Sequence, residues 1–106
     1  MKDTMAGSDM LEKFKALSNQ NRIEILEWLK TPSDHFPYTN APEGWDTGVC
    51  IMHIQQKANL AFSTISNHIS ILNRAGFVEI TKVGQWSYCR RNEQSLLKFY
   101  EDVKNI

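Results

Sequence analysis

The chain has 106 residues, 42% of them hydrophobic, and its twelve Lys and Arg balance twelve Asp and Glu. That length allows one domain with a modest core, which a second subunit would help to stabilise, and zero net charge excludes a protein that clings indiscriminately to nucleic acid. Two cysteines cannot build a disulfide framework; with no apolar run of transmembrane length and no signal peptide, the expected location is the cytoplasm, away from any membrane, with both thiols reduced.

In chain order, residues 1–7 read as a flexible tail, followed by a single domain over 8–106. Ser8 or Asp9 can cap a first helix in which Leu11, Phe14 and Leu17 share a face. Asn19 can cap a second, with Ile23, Leu26, Trp28 and Leu29 on its buried side. Residues 31–49 then hold all three prolines (Pro32, Pro37, Pro42) with Gly44 and Gly48, so regular structure is not expected there. The stretch is long for a connector and, with His35, Phe36, Tyr38 and Trp45, too aromatic for a disordered linker. Its rings are expected to pack back on the domain, as a flap, a dimer contact or one wall of an effector pocket.

Ile51, Ile54 and Ala58 mark a short amphipathic helix ending at Asn59, a residue able to take the left-handed conformation of a tight interhelical turn. The next helix runs from Ala61 to Gly76. Ile65, Ile69 and Leu72 recur at i, i+4 and i+7, while Ser63, Ser66, Asn67, Ser70 and Arg74 fall on the other side. That second face is short, polar and free of acid, and it suits a groove lined by base edges and phosphates. Two helices joined by three or four residues form a helix-turn-helix pattern. Residues 77–82 and 86–91, rich in β-branched and aromatic side chains around a turn at Val83, Gly84 and Gln85, predict a β-hairpin. A last helix, Glu93 to Lys104, follows an Asn92 cap and clusters Leu96, Leu97, Tyr100 and Val103 at helical spacing. The fold class is thus mainly α with a small hairpin: a winged helix-turn-helix of about five helices and a two-stranded wing.

Charge follows the same division. Lys and Arg number five against eight acids over 1–50, five against one over 51–91, and two against three over 92–106. The middle segment, with Lys57, Arg74, Lys82, Arg90 and Arg91, is a basic patch in an otherwise acidic chain, the footprint of phosphate contact.

Thr64-Ile65-Ser66-Asn67-His68-Ile69, then Leu72, Ala75-Gly76-Phe77-Val78 and Gly84-Gln85-Trp86-Ser87-Tyr88-Cys89-Arg90, resemble the recognition helix and wing of the ArsR/SmtB-type winged-helix repressors. Ala16-Leu17-Ser18-Asn19-Gln20-Asn21-Arg22-Ile23-Glu24-Ile25-Leu26 resembles that family's opening helix junction, so the likeness spans about Leu11 to Val103 with one insertion. It implies a homodimer on a palindromic operator of double-stranded DNA, with Leu11 and Phe14 of the first helix and Leu96, Leu97, Tyr100 and Val103 of the last at the subunit interface. The residues expected on DNA are Ser63, Thr64, Ser66, Asn67 and Ser70, with Lys82, Gln85, Trp86 and Arg90 of the wing on the neighbouring backbone or minor groove. Phe62 stands where the family often has a glutamine and is expected to touch a thymine methyl or to pack; Ala61 replaces the family's capping serine.

The family often carries a Cys-x-Cys metal site before the recognition helix. Cys50 matches its first position but Met52 its second, and the last helix has no His, so no metal site is expected. If the segment before that helix forms a short strand beside the second wing strand, Cys50 comes near Cys89, and Arg90 and Arg91 would favour thiolate, making the two cysteines candidate regulatory thiols. The effector, whether small molecule, oxidant or metal, is not identified by the sequence. There is no phosphate-cradling glycine loop, and Cys50 with His53 lacks an orienting third group, so no enzyme activity and no cofactor are expected. His68, on the inner shoulder of the recognition helix, is expected to pack or to touch phosphate. The rival reading is a winged-helix protein-interaction module without sequence-specific DNA binding.

Overall fold

Asparagines set several of the helix boundaries. The computed structural model describes residues 7–106, with side chains from residue 9 onward. The Asn19 carboxamide accepts a hydrogen bond from the Arg22 amide and Asn92 accepts one from the Ser95 amide, starting α2 (Gln20–Lys30) and α5 (Glu93–Lys104) as expected. Asn59, at φ 55° and ψ 45°, ends α3 (Ile51–Ala58) in the left-handed conformation, and its N–H donates to the Gln55 and Gln56 carbonyls. Three residues later α4 (Phe62–Arg74) begins, completing the helix-turn-helix. The first helix, α1 (Gly7–Leu17), starts earlier than expected: Ser8 and Asp9 lie inside it rather than capping it. Apart from Gly7, the predicted flexible tail lies outside the described residues.

The wing is two-stranded as expected, β2 (Val78–Val83) against β3 (Trp86–Arg91), and the short strand β1 (Val49–Cys50) joins it in the order β1-β3-β2, all antiparallel. Val83 belongs to β2, opposite Trp86, so the hairpin turn is only Gly84-Gln85, with φ +61° at Gly84, the II′ pattern. Gly48 leads into β1 at φ +124°, a conformation L side chains rarely adopt; a Cβ there would lie 2.7 Å from the Cys89 carbonyl oxygen and 2.8 Å from its carbon. β1 can approach β3 only because position 48 has no side chain.

The core unites Ala16, Ile25, Leu29, Ile54, Ile65, Ile69, Leu72, Phe77, Val78 and Phe99 from all five helices and the wing. On α2 the buried side is Ile25, Leu26 and Leu29, not Ile23, which is 38% exposed. Two positions on a helix differ by about 200°, so burying Ile25 turns Ile23 outward. The inserted stretch packs back as its rings suggested, with two short 3₁₀ turns, Pro32–Asp34 and Gly44–Asp46, inside it. Phe36 is buried, edge-on to Trp28 and near Trp45 with ring centroids 6.4 Å away in each case.

Candidate nucleic-acid interface

The 3.6-residue period of α4 sorts its side chains cleanly. Ile65, His68, Ile69 and Leu72 are buried, whereas Phe62, Ser63, Thr64, Ser66, Asn67 and Ser70 are all exposed. No acid sits in the first turn, and no side chain caps the helix at Ala61, which leaves its leading amide N–H groups without a side-chain acceptor. Hydroxyls and a carboxamide on such a face offer both donors and acceptors to base edges.

The wing stands beside this face. Phe62 and Ser66 of α4, Gln85 and Trp86 of the wing, and Cys50 and Met52 at the start of α3 line one open groove of about 430 Å³. Phe62 is 56% exposed, so it does not pack into the core and is available for apolar contact. Lys82 and Gln85 are exposed near the hairpin tip, and Trp86, the first residue past the turn, is half-buried.

Arg90 is placed differently. Its Nε donates to Glu79 Oε1 at 2.9 Å and its Nη1 to the Asp46 carbonyl at 3.2 Å, opposite Glu79 in the strand register and at the far end of β3 from the tip. Arg91 is likewise engaged, with Glu93 and with the Leu26 carbonyl. The basic patch is therefore smaller than the sequence count implied: of its five cations, Lys57, Arg74 and Lys82 have no carboxylate partner among the described residues.

One polar tie of α4 was not legible in the sequence. Arg22, in the first turn of α2, donates to the Ala16 carbonyl at 2.7 Å and the Lys15 carbonyl at 3.1 Å, and its Nη1 lies 3.1 Å from His68 Nδ1. A guanidinium can only donate, so His68 accepts through Nδ1 and carries its proton on Nε2. Burial first, and the Arg22 charge second, hold the imidazole below its ordinary pKa. His68 is thus a buried tie between the recognition helix and the α1–α2 junction, rather than a phosphate contact. The two residues are 46 apart in the chain, and no local pattern pairs them.

The cysteines also depart from expectation. β1 does form beside β3, but Cys89 faces Val49 and Cys50 faces Tyr88. Directly opposite side chains share a face and successive ones alternate, so Cys50 lies on the face of Tyr88 and Cys89 on the other side of the sheet. Both are buried, burial pushes the Cys89 thiol up to about 12, and Arg90 and Arg91 are turned to other partners. The expectation that those arginines favour thiolate is corrected.

The expected interface residues divide into two sets. Leu96 and Val103 are partly buried against the protomer's own core, and Phe14 sits edge-on to Phe99 with centroids 5.1 Å apart. Leu11, Phe14, Leu97 and Tyr100 remain exposed along α1 and α5, the last two at 61%. No group of three metal-ligating side chains occurs among the described residues, and no described helix is long and apolar enough to cross a membrane.

No family model matches the chain. It is 37% identical over 94 residues to the uncharacterized HTH-type transcriptional regulator YbzH of Bacillus subtilis (strain 168), covering 89% of this chain and 94% of that protein. Its fold is similar to that of an ArsR family transcriptional regulator with a TM-score of 0.72 at 14% identity, over 96% of this chain and 90% of the other. A homodimeric winged helix-turn-helix DNA-binding domain from Mycobacterium bovis matches with a TM-score of 0.65 at 19% identity, over 99% and 91% of the two chains.

Proposed function

The chain belongs to the HTH-type transcriptional regulators, and from that premise we propose that it is a homodimeric cytoplasmic repressor that grips a palindromic operator with α4 and the wing until an effector releases it. The observation that carries this reading is the acid-free polar face of α4 beside a wing whose tip presents Lys82 and Gln85. Ser63, Thr64, Ser66, Asn67 and Ser70 read base edges and phosphates, the uncapped amides of α4 receive a phosphate, and Phe62 meets a thymine methyl. Lys82, Gln85 and Trp86 follow the backbone or minor groove beside them. Arg90 joins them by leaving both Glu79 and the Asp46 carbonyl; the ion pair, about half exposed on both sides, holds by only about 0–1 kcal/mol and the second hydrogen bond is also exposed.

One recognition helix reads few base pairs, so useful affinity needs two, about 34–36 Å or a multiple of that apart. The exposed apolar row Leu11, Phe14, Leu97 and Tyr100 supports α1 and α5 as the surface that pairs them. Relatives with this fold are regulators rather than enzymes.

The test is fluorescence anisotropy on the DNA upstream of the protein's own gene, against a scrambled duplex of equal length, at several salt concentrations. Binding should prefer the upstream duplex and weaken steeply with salt as counterions return to the phosphates. Ser63→Ala with Asn67→Ala should abolish that preference and leave dimerisation intact. Retained discrimination in the double variant would refute the base-contact assignment, and salt-insensitive binding would favour a protein-interaction module.

A further inference from the structure

The inserted stretch and α3 enclose a second recess, of about 270 Å³, on the flank of the helix-turn-helix. His35 and Tyr38 line it from the insertion, His53 and Lys57 from α3, and the buried Phe36 lies between them. His53 and Lys57 are four residues apart on the helix and so address the same space. Tyr38 stands edge-on to His53, with ring centroids 5.3 Å apart, and is itself 60% exposed.

Charge gives the recess its chemistry. No carboxylate lines it, and the Lys57 ammonium has no carboxylate partner among the described residues. That ammonium lies instead over aromatic rings, 5.2 Å from the Trp28 centroid and 5.9 Å from that of Phe36. A lysine seated on ring faces keeps its N–H donors for a guest, and each imidazole offers at least one N–H in either tautomer. The volume falls just below the roughly 300–1,000 Å³ of sites for drug-sized ligands, which suits a single-ring guest rather than a nucleotide.

We propose that this recess binds a small aromatic carboxylate, with the acid group on Lys57 and an imidazole N–H and the ring against Tyr38 and Phe36. Because α3 packs on α4 and runs into it through the Asn59 turn, occupancy would bear on the recognition helix; that consequence rests on the regulatory reading above, whereas ligand binding itself does not.

The probe is benzoate, titrated into the purified full chain without DNA and followed through the ring resonances of His35, Tyr38, His53 and Trp28 in proton NMR. Saturable shifts at these rings are expected, with neutral benzamide binding at least about tenfold more weakly, as loss of one charge-assisted contact implies. Lys57→Gln should weaken benzoate by a similar factor while the chain still unfolds cooperatively, with only the small fall in melting temperature that loss of its contacts with Trp28 and Phe36 entails, and Lys57→Arg should restore both. Absence of shifts at millimolar benzoate, equal shifts with benzamide, or undiminished affinity in Lys57→Gln would each overturn the proposal. Since no step uses DNA, failure of operator binding would leave this result intact.

Discussion

Replacing Gly48 by Ala should damage this protein far more than a single methyl suggests. The backbone there sits at φ +124°, and holding a non-glycine residue in such a region costs about 1–3 kcal/mol. The new Cβ would also lie 2.7, 2.8 and 3.1 Å from the oxygen, carbon and nitrogen of Cys89, all backbone atoms of the central strand that cannot rotate away. Relieving that overlap requires β1 to move off β3, an overpacking cost of about 1–3 kcal/mol. The loss of freedom in the unfolded chain offsets about 0.4–1 kcal/mol, leaving a net destabilisation of about 3 kcal/mol and a fall in melting temperature of about 12 °C or more. Gly84→Ala is the control: its φ is +61° but nothing lies within 4 Å of the added Cβ, so only the positive-φ penalty of about 1–2 kcal/mol, less the same offset of about 0.4–1 kcal/mol, applies. Urea unfolding at one fixed protein concentration should show both as midpoint shifts at constant slope. If Gly48→Ala costs no more than Gly84→Ala, the close approach of β1 to β3 does not constrain this fold.

Three further outcomes are expected. Burial and Arg22 lower the His68 pKa, so the unfolded chain binds a proton that the folded chain refuses; stability should fall as pH drops through the ordinary value of 6.5 and level off only where the folded imidazole itself titrates. Thermal melts of His68→Gln across the same range should show a shallower slope, and an unchanged slope would remove His68 as the cause. Leu97→Glu with Tyr100→Glu places carboxylates on the exposed row of α5 and should yield a folded monomer by sedimentation equilibrium at micromolar concentration, whereas a persistent dimer would move the interface elsewhere. Diamide should form no intramolecular Cys50–Cys89 disulfide in the native protein, and Cys89 should resist iodoacetamide until the chain is denatured; mass spectrometry detecting rapid crosslinking would contradict the strand register.

Much of this architecture is written in local pattern. Helix caps at Asn19 and Asn92, the left-handed turn at Asn59 and the period of Ile65, Ile69 and Leu72 each depend on neighbours in the chain, and each appears where the sequence places it. What stayed hidden depends on partners far away. β1, two residues long, was legible only as a condition, and its register, which sets Cys50 against Tyr88 rather than Cys89, comes from pairing with residues about forty positions on. The choice of Ile25 over Ile23 for the core is a tertiary decision between two equally apolar residues, and the Arg22–His68 tie needs α2 and α4 already docked. For the same reason the wing contacts were only half legible: composition counts Arg90 as a free cation, and only register reveals Glu79 opposite it. The recess behind α3 was legible as a hint, since the aromatic insertion signalled packing, but the convergence of His35 with His53 and Lys57 required the fold.

The position of β3 between β1 and β2 has a mechanical consequence. The strand that carries one side of the wing also anchors the residues from which α3 departs, so wing and helix-turn-helix share a single stiff spine. Movement of one is therefore coupled to movement of the other. If the chain binds DNA as the dimer proposed above, each protomer would present one fixed outline to its half-site, and tolerance for different distances between half-sites would reside in the joint between α1 and α5 of the two copies. Operators lengthened by one base pair should accordingly be bound only as far as that joint yields, and not through adjustment of one half.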